Sequence, residues 1–161
     1  MGNVAQLLAE SADIKVVAGV RSPEKAITLR EQGIEIRHLD LDKQETLEAA
    51  LEGIDSALLL TGYTVDMLKQ SKAFLDTAKQ TGVKHIVHIG ASGADTNEVA
   101  HWGWHQYIEK YIESLGFSFT HLRPEAFMKN ITDFGWLIKD VVTNYICNSR
   151  WCCVDSDDLS L

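Results

Sequence analysis

Residues 56–90 read SALLLTGYTVDMLKQSKAFLDTAKQTGVKHIVHIG. The stretch opens on one uninterrupted apolar run, SALLLTG (56–62), and closes on another, HIVHIG (85–90). Short continuous runs of this kind suit strands buried on both faces, as in parallel sheets. Between them, TVDMLKQSKAFLDTAKQTG (64–82) has helical periodicity, with Val65, Leu68, Phe74, Leu75 and Ala78 inward and Gly82 as the stop. A strand, a crossover helix and a second strand make one parallel unit, because parallel neighbours need a long connection.

The same alternation extends toward the N-terminus. IEIRHL (34–39) alternates apolar and polar residues, as a half-exposed strand does. After it, Asp42 and Glu45 have capping-box spacing ahead of a helix that carries Leu47, Ala50 and Leu51. KVVAGV (15–20) reads as a buried strand, and SPEKAITLREQG (22–33) as a helix with Ser22 as N-cap, Pro23 at its first position and Gly33 at its end. The chain opens on MGNVAQLLAES (1–11), an amphipathic helix with Val4, Leu7 and Leu8 on one face.

Toward the C-terminus, the loop ASGADTN (91–97) leads to a helix that runs to about Leu115. Its apolar face is Trp104, Tyr107, Ile108, Tyr111, Ile112 and Leu115. SFTHLRP (118–124) is the next strand, stopped by Pro124. No Pro- or Gly-rich linker and no repeat divides the chain, so residues 1–161 are expected to form a single α/β domain. Right-handed crossovers then give a doubly wound parallel sheet. In such a sheet the ligand lies at the carboxyl ends of the strands. The residues there are Arg21, Asp40, Thr61, Gly62, Gly90, Ala91, Ser92 and those from Pro124 onward.

Composition narrows the partners. The 161 residues carry 15 Lys and Arg against 23 Asp and Glu, a net charge of −8, which disfavours nucleic acid. No apolar run approaches the ~20 residues of a membrane span, and the first residues do not read as a secretory signal. Three cysteines, Cys147, Cys152 and Cys153, are an odd set that suits free thiols in a reducing cytoplasm better than disulfides or zinc.

Five segments together resemble an NmrA-like member of the atypical short-chain dehydrogenase/reductase superfamily. They are MGNVAQLL (1–8), AGVRSPEKA (18–26), HLDLDKQETLEAALEGIDSALLLT (38–61), GVKHIVHIGAS (82–92) and WHQYIEKYIESLGFSFTHLRPEAFMKN (104–130), in the family's order. The resemblance implies a Rossmann-like NAD(P)-binding sheet. In that family a first strand and a turn, roughly G-x-x-G-x-x-G, precede the first helix, and Gly2 stands at the third glycine. The expectation is therefore that a central strand and the turn's first two glycines are missing. NYICNSRWCCVDSDDLSL (144–161) resembles the strand and Asp-rich turn ahead of the family's last helices, so the C-terminal substrate region is expected to be missing too.

The resemblance assigns cofactor positions. Arg21, with Lys25 one helical turn on, suits a 2′-phosphate where an acid would suit the ribose hydroxyl, which implies NADPH in preference to NADH. A solvated surface Arg is the alternative. Asp40 would lie beside the adenine, with the next amide, that of Leu41, reading the ring edge; turn capping explains Asp40 equally well. Thr61, Gly62, Gly90, Ala91 and Ser92 are small enough for a cofactor to approach backbone, and they also serve ordinary turns. Phe127 and Asn130 would border the nicotinamide pocket.

At the place of the extended reductases' Y-x-x-x-K, this chain has His101-Trp-Gly-Trp-His105, followed by Glu109. Proton donation by the usual Tyr and Lys is therefore in doubt, and His105 is the candidate catalytic group, since imidazole titrates near neutral pH. His101 and His105 have ligand spacing, but no metal site is expected from them. The implied function is an NADP(H)-binding domain of a reductase acting on a quinone-like or small carbonyl acceptor. An NADP(H)-binding redox sensor without turnover, or an inactive fragment, is the alternative. The expected partner is a small-molecule acceptor, with neither nucleic acid nor membrane involved and room left for a homodimer.

Overall fold

The computed structural model describes residues 2–92 and 100–124 and four two-residue strands beyond them. Helix α1 (Gly2–Ala9) leads to β1 (Val17–Val20), α2 (Ile27–Glu31) and β2 (Glu35–His38). Then come α3 (Leu47–Leu51), β3 (Ser56–Leu59), α4 (Met67–Gln80), β4 (His85–Ile89), α5 (Ala100–Ser114) and β5 (Ser118–Leu122). Among the short strands, β6 (Ala126–Phe127) pairs in parallel with β9 (Cys153–Val154), and β7 (Leu137–Ile138) in antiparallel with β8 (Val141–Val142).

All pairing among the five main strands is parallel. β1 lies against β2, with Val17 opposite Glu35 and Val20 opposite His38. β4 lies between β3 and β5, with His85 opposite both Ser56 and Ser118. The alternation read from the sequence thus yields the expected α/β class with parallel sheets. Hydrogen bonding divides it into β2-β1 and β3-β4-β5, with no described strand between β1 and β3. In the order 3-2-1-4-5-6 that position belongs to the first strand.

The core cluster is built from α3, β3, α4, β4 and α5 and the turns that adjoin them. Leu47, Leu59, Met67, Leu75, Ile86 and Ile112 are almost wholly buried, and Leu39 and Leu41 from beyond β2 pack against the same cluster. Each fully buried side chain of this size contributes roughly 1.5–3 kcal/mol of transfer free energy. Arg37 of β2 donates to the carbonyls of Ala50 (3.1 Å) and Glu52 (2.6 Å), which fastens β2 to the end of α3. The helices form two contacting groups, α1 against α2, and α3 against α4 against α5.

Several local readings need correction. The segment 22–33 is a 3-10 turn (Pro23–Lys25) followed by α2, and Ser22 makes no side-chain cap. Gly33 and Gly82 do end their helices, with φ of +79° and +88°, where a side chain would be strained. Asp42 and Glu45 form no capping box. A 3-10 turn (Gln44–Thr46) occupies that place, the Asp42 amide donates to the Asp40 carboxylate, and the Asp42 carboxylate accepts from Gln70.

On α4 the buried side is Met67, Ser71, Phe74, Leu75, Thr77 and Ala78. Val65 precedes the helix and is 89% exposed, because the helix starts at Met67, three residues later than the sequence suggests. On α5 the inward side turns away from Tyr107, which is exposed, and takes in His105, Ile108, Glu109 and Ile112. Two polar residues therefore lie inside.

Candidate functional site

The carboxyl ends of the strands carry the candidate site residues. Arg21 follows β1, and it and Lys25 are exposed without an ion pair among the described residues. Asp40 lies beyond β2. Its carboxylate accepts the Asp42 amide at 3.1 Å and sits 3.8 Å from Lys43, while its amide donates to Thr46 Oγ1 at 3.0 Å. Asp40 therefore closes a turn, and that turn presents Leu41. The Leu41 amide makes no backbone hydrogen bond among the described residues.

Beyond β3, the Thr61 hydroxyl is buried without a hydrogen-bond partner among the described residues, Gly62 is exposed, and Tyr63 is exposed. Beyond β4, the amides of Gly90 and Ser92 donate to Leu122 and Pro124 (2.8 and 2.9 Å), so the ladder with β5 continues to the strand's mouth. Those two amides are thus committed to the sheet. Ala91 and Ser92 are half-buried. Gly2 is the first residue of α1, and Phe127 ends β6. The side chains of Gly2's neighbours Met1 and Asn3, and those of Phe127, His101 and Asn130, lie outside the described residues.

Directly beneath this surface is a buried polar cluster that joins β4, α5 and β5. His88 and His105 are 0% and 2% exposed, and His105 Nδ1 lies 3.3 Å from His88 Nε2, one nitrogen donating and the other accepting. The Glu109 carboxylate is buried and accepts two hydrogen bonds from Arg123, from Nε at 2.9 Å and Nη2 at 2.6 Å. His121 stacks on Phe119 with ring centres 4.6 Å apart and meets His88 edge-on at 6.0 Å.

Burial first, and then the nearby charge of His105, push the His88 imidazole down to about 4. Burial also lowers His121. His88 is therefore neutral at pH 7.

His105, the candidate catalytic group, belongs to this cluster and is enclosed by it. The exposed ring next to it is Tyr63, edge-on with centres 5.9 Å apart. Tyr63 was not singled out in the sequence; its place just after an apolar strand and Thr61-Gly62 was the available signal. The glycine at 90 also gains a local cause. A Cβ there would come within 3.2 Å of His88 Cε1, 3.4 Å of Glu109 Oε1 and 3.5 Å of His105 Nδ1. His88 and His121 carry no motif in the sequence. Their only signal was an imidazole within each of two strand segments.

Parallel strands, crossover helices and a set of small and basic residues at the strand mouths define a Rossmann-like nucleotide-binding protein. A family model described as NAD(P)H-binding matches residues 2–142, and the chain belongs to that family. It is 32% identical over 117 residues to quinone oxidoreductase 2 of Escherichia coli, covering 72% of this chain and 41% of that protein. It is 28% identical to an NAD(P)H azoreductase of Xenophilus azovorans, covering 87% of this chain and 49% of that one. An NmrA-like oxidoreductase of Aspergillus flavus is 27% identical over 73% of this chain and 41% of its own. The crystal structure of a Citrobacter triphenylmethane reductase complexed with NADP(H) superposes with a TM-score of 0.75 at 30% identity, covering 81% of this chain and 47% of that one. The chain spans about half the length of the curated relatives it matches. Among the described residues no helix is long and apolar enough to cross a membrane.

Proposed function

We propose that this chain is the NADP(H)-binding part of a reductase that passes a hydride to a quinone-like or other small carbonyl or conjugated acceptor. The observation that carries the reading is the pair Arg21 and Lys25, exposed and, among the described residues, unpaired by carboxylates at the mouth of β1 in a member of an NAD(P)H-binding family. Relatives named as quinone oxidoreductase and azoreductase support the acceptor class.

The residues present fit the cofactor. Arg21, with Lys25 beside it, would hold the 2′-phosphate through charge-assisted hydrogen bonds. The turn closed by Asp40 leaves the Leu41 amide available for an adenine edge, and the orphaned Thr61 hydroxyl lies at the β3 mouth. The nicotinamide, when bound, supplies the hydride. Tyr63 offers an exposed ring at the same mouth, and His105 backs it from below. The buried position of His105 favours a second reading, in which the chain binds the nucleotide as a redox sensor without turnover.

The test is a titration of the purified chain with NADPH and with NADH, followed by tryptophan quenching and thermal shift. Saturable binding that prefers NADPH is expected. A folded chain that binds neither nucleotide overturns the proposal. NADPH oxidation with a quinone then separates reductase from sensor.

A further inference from the structure

We propose that His88, Glu109 and His121 form a binding site for a divalent transition-metal cation of the zinc class, which ties β4, α5 and β5 together. One ligand atom from each of the three residues lies within 4.8 Å of the other two. Two imidazoles and a carboxylate are a donor set suited to zinc. At ligand distances of 2.0–2.1 Å, tetrahedral donors stand about 3.4 Å apart. The three groups therefore close on a cation by side-chain rotations of about an ångström, without backbone rearrangement.

A second observation points to a ligand. His88 Nδ1 and both ring nitrogens of His121 are buried and have no hydrogen-bond partner among the described residues. Buried polar atoms are normally satisfied, and leaving one unpaired is costly. The carboxylate of Glu113, 3.7 Å from His121 Nε2, is too distant to hydrogen-bond it.

The surroundings resemble the outer shell of a metal site. Ligating imidazoles and carboxylates are usually oriented by hydrogen bonds to their remaining atoms. His105 Nδ1 faces His88 Nε2, and Arg123 holds the Glu109 carboxylate. A carboxylate has lone pairs enough to serve Arg123 and a cation together. The Arg123 guanidinium opposes a second positive charge, but its side chain is 58% exposed and can withdraw into water. The sequence hint of His101 and His105 lay along a single helix; the fold assembles a different set from two strands and a helix.

The experiment uses the full chain carrying Cys147→Ser, Cys152→Ser and Cys153→Ser, so that thiolates do not compete. It is stripped with chelator and titrated with Zn²⁺ and Co²⁺. One equivalent of Zn²⁺ is expected, with a raised melting temperature and a Co²⁺ spectrum free of thiolate charge transfer. His121→Gln and Glu109→Gln should each lower zinc affinity at least ~10-fold. Arg123→Gln should raise it, an effect that a purely structural role for the cluster would not produce. Circular dichroism checks that each variant is folded, and if Glu109→Gln does not fold, His121→Gln and Arg123→Gln still decide. Failure of the folded chain to take up zinc overturns the proposal, and so does equal uptake by His121→Gln. Neither result depends on nucleotide binding.

Discussion

The ion pair between Arg123 and Glu109 offers a quantitative test of how the buried cluster is held. The Glu109 side chain is 4% exposed and both its oxygens accept from Arg123, whereas the Arg123 side chain is 58% exposed. Arg123→Met therefore strands a buried carboxylate. Removing one partner of a fully buried pair costs about 3–5 kcal/mol. Here half of the arginine is already in water, and solvent can reach in where the guanidinium leaves, so about 2 kcal/mol is expected. Urea denaturation at pH 7 measures it. In the double variant with Glu109→Gln the stranded charge is gone, and the loss should fall short of the summed single losses by about 1 kcal/mol or more. Strict additivity would refute the reasoning, because the two groups would then not be stabilising one another.

Three other outcomes are expected. His88 has a folded pKa of about 4 against an ordinary 6.5, so between those values the unfolded chain binds more protons. Stability should be full above pH 6.5 and fall as the pH drops toward 4, by at most about 3 kcal/mol from this group. Burial lowers His121 as well, which pushes in the same direction, and a His88→Gln variant as pH-sensitive as the parent in urea melts would sink the attribution. Gly90→Ala should destabilise by about 1 kcal/mol, because the new methyl would stand 3.2 Å from His88 Cε1 in a packed cluster and the imidazole must shift; an unchanged melting temperature would show that the ring yields freely. Arg21→Ala should weaken NADPH roughly 10-fold or more while leaving NADH nearly unchanged, as befits the loss of charge-assisted bonds to a 2′-phosphate. Equal weakening of both nucleotides in a binding titration would remove Arg21 from that role.

The apolar runs at 56–62 and 85–90 and the helix between them were legible because each depends on local periodicity and on nothing distant. The glycines that end helices at Gly33 and Gly82 were legible too, since a positive φ excludes other residues at little range. The capping box at Asp42 misled because a side chain from another helix, Gln70, and the Asp40 turn competed for the same groups. Val65 misled because periodicity does not say where a helix begins.

The mouth of the sheet was likewise predictable as a place. Arg21, Asp40, Thr61 and Gly90 follow strands whose direction the parallel pattern dictates. What each side chain does there was not predictable, as Asp40 spends its carboxylate on its own turn and His105 lies beneath Tyr63.

The sequence by itself determined the α/β class, the parallel pairing, the strand ends and the family resemblance, all of which rest on short-range patterns repeated along the chain. Only the tertiary structure decided that His88, His105, Glu109, His121 and Arg123 meet. They come from two strands and a helix, up to 35 positions apart between His88 and Arg123. Their contact arises from strand register and the angle at which α5 crosses the sheet. No periodicity encodes either one, because both follow from packing over the whole core.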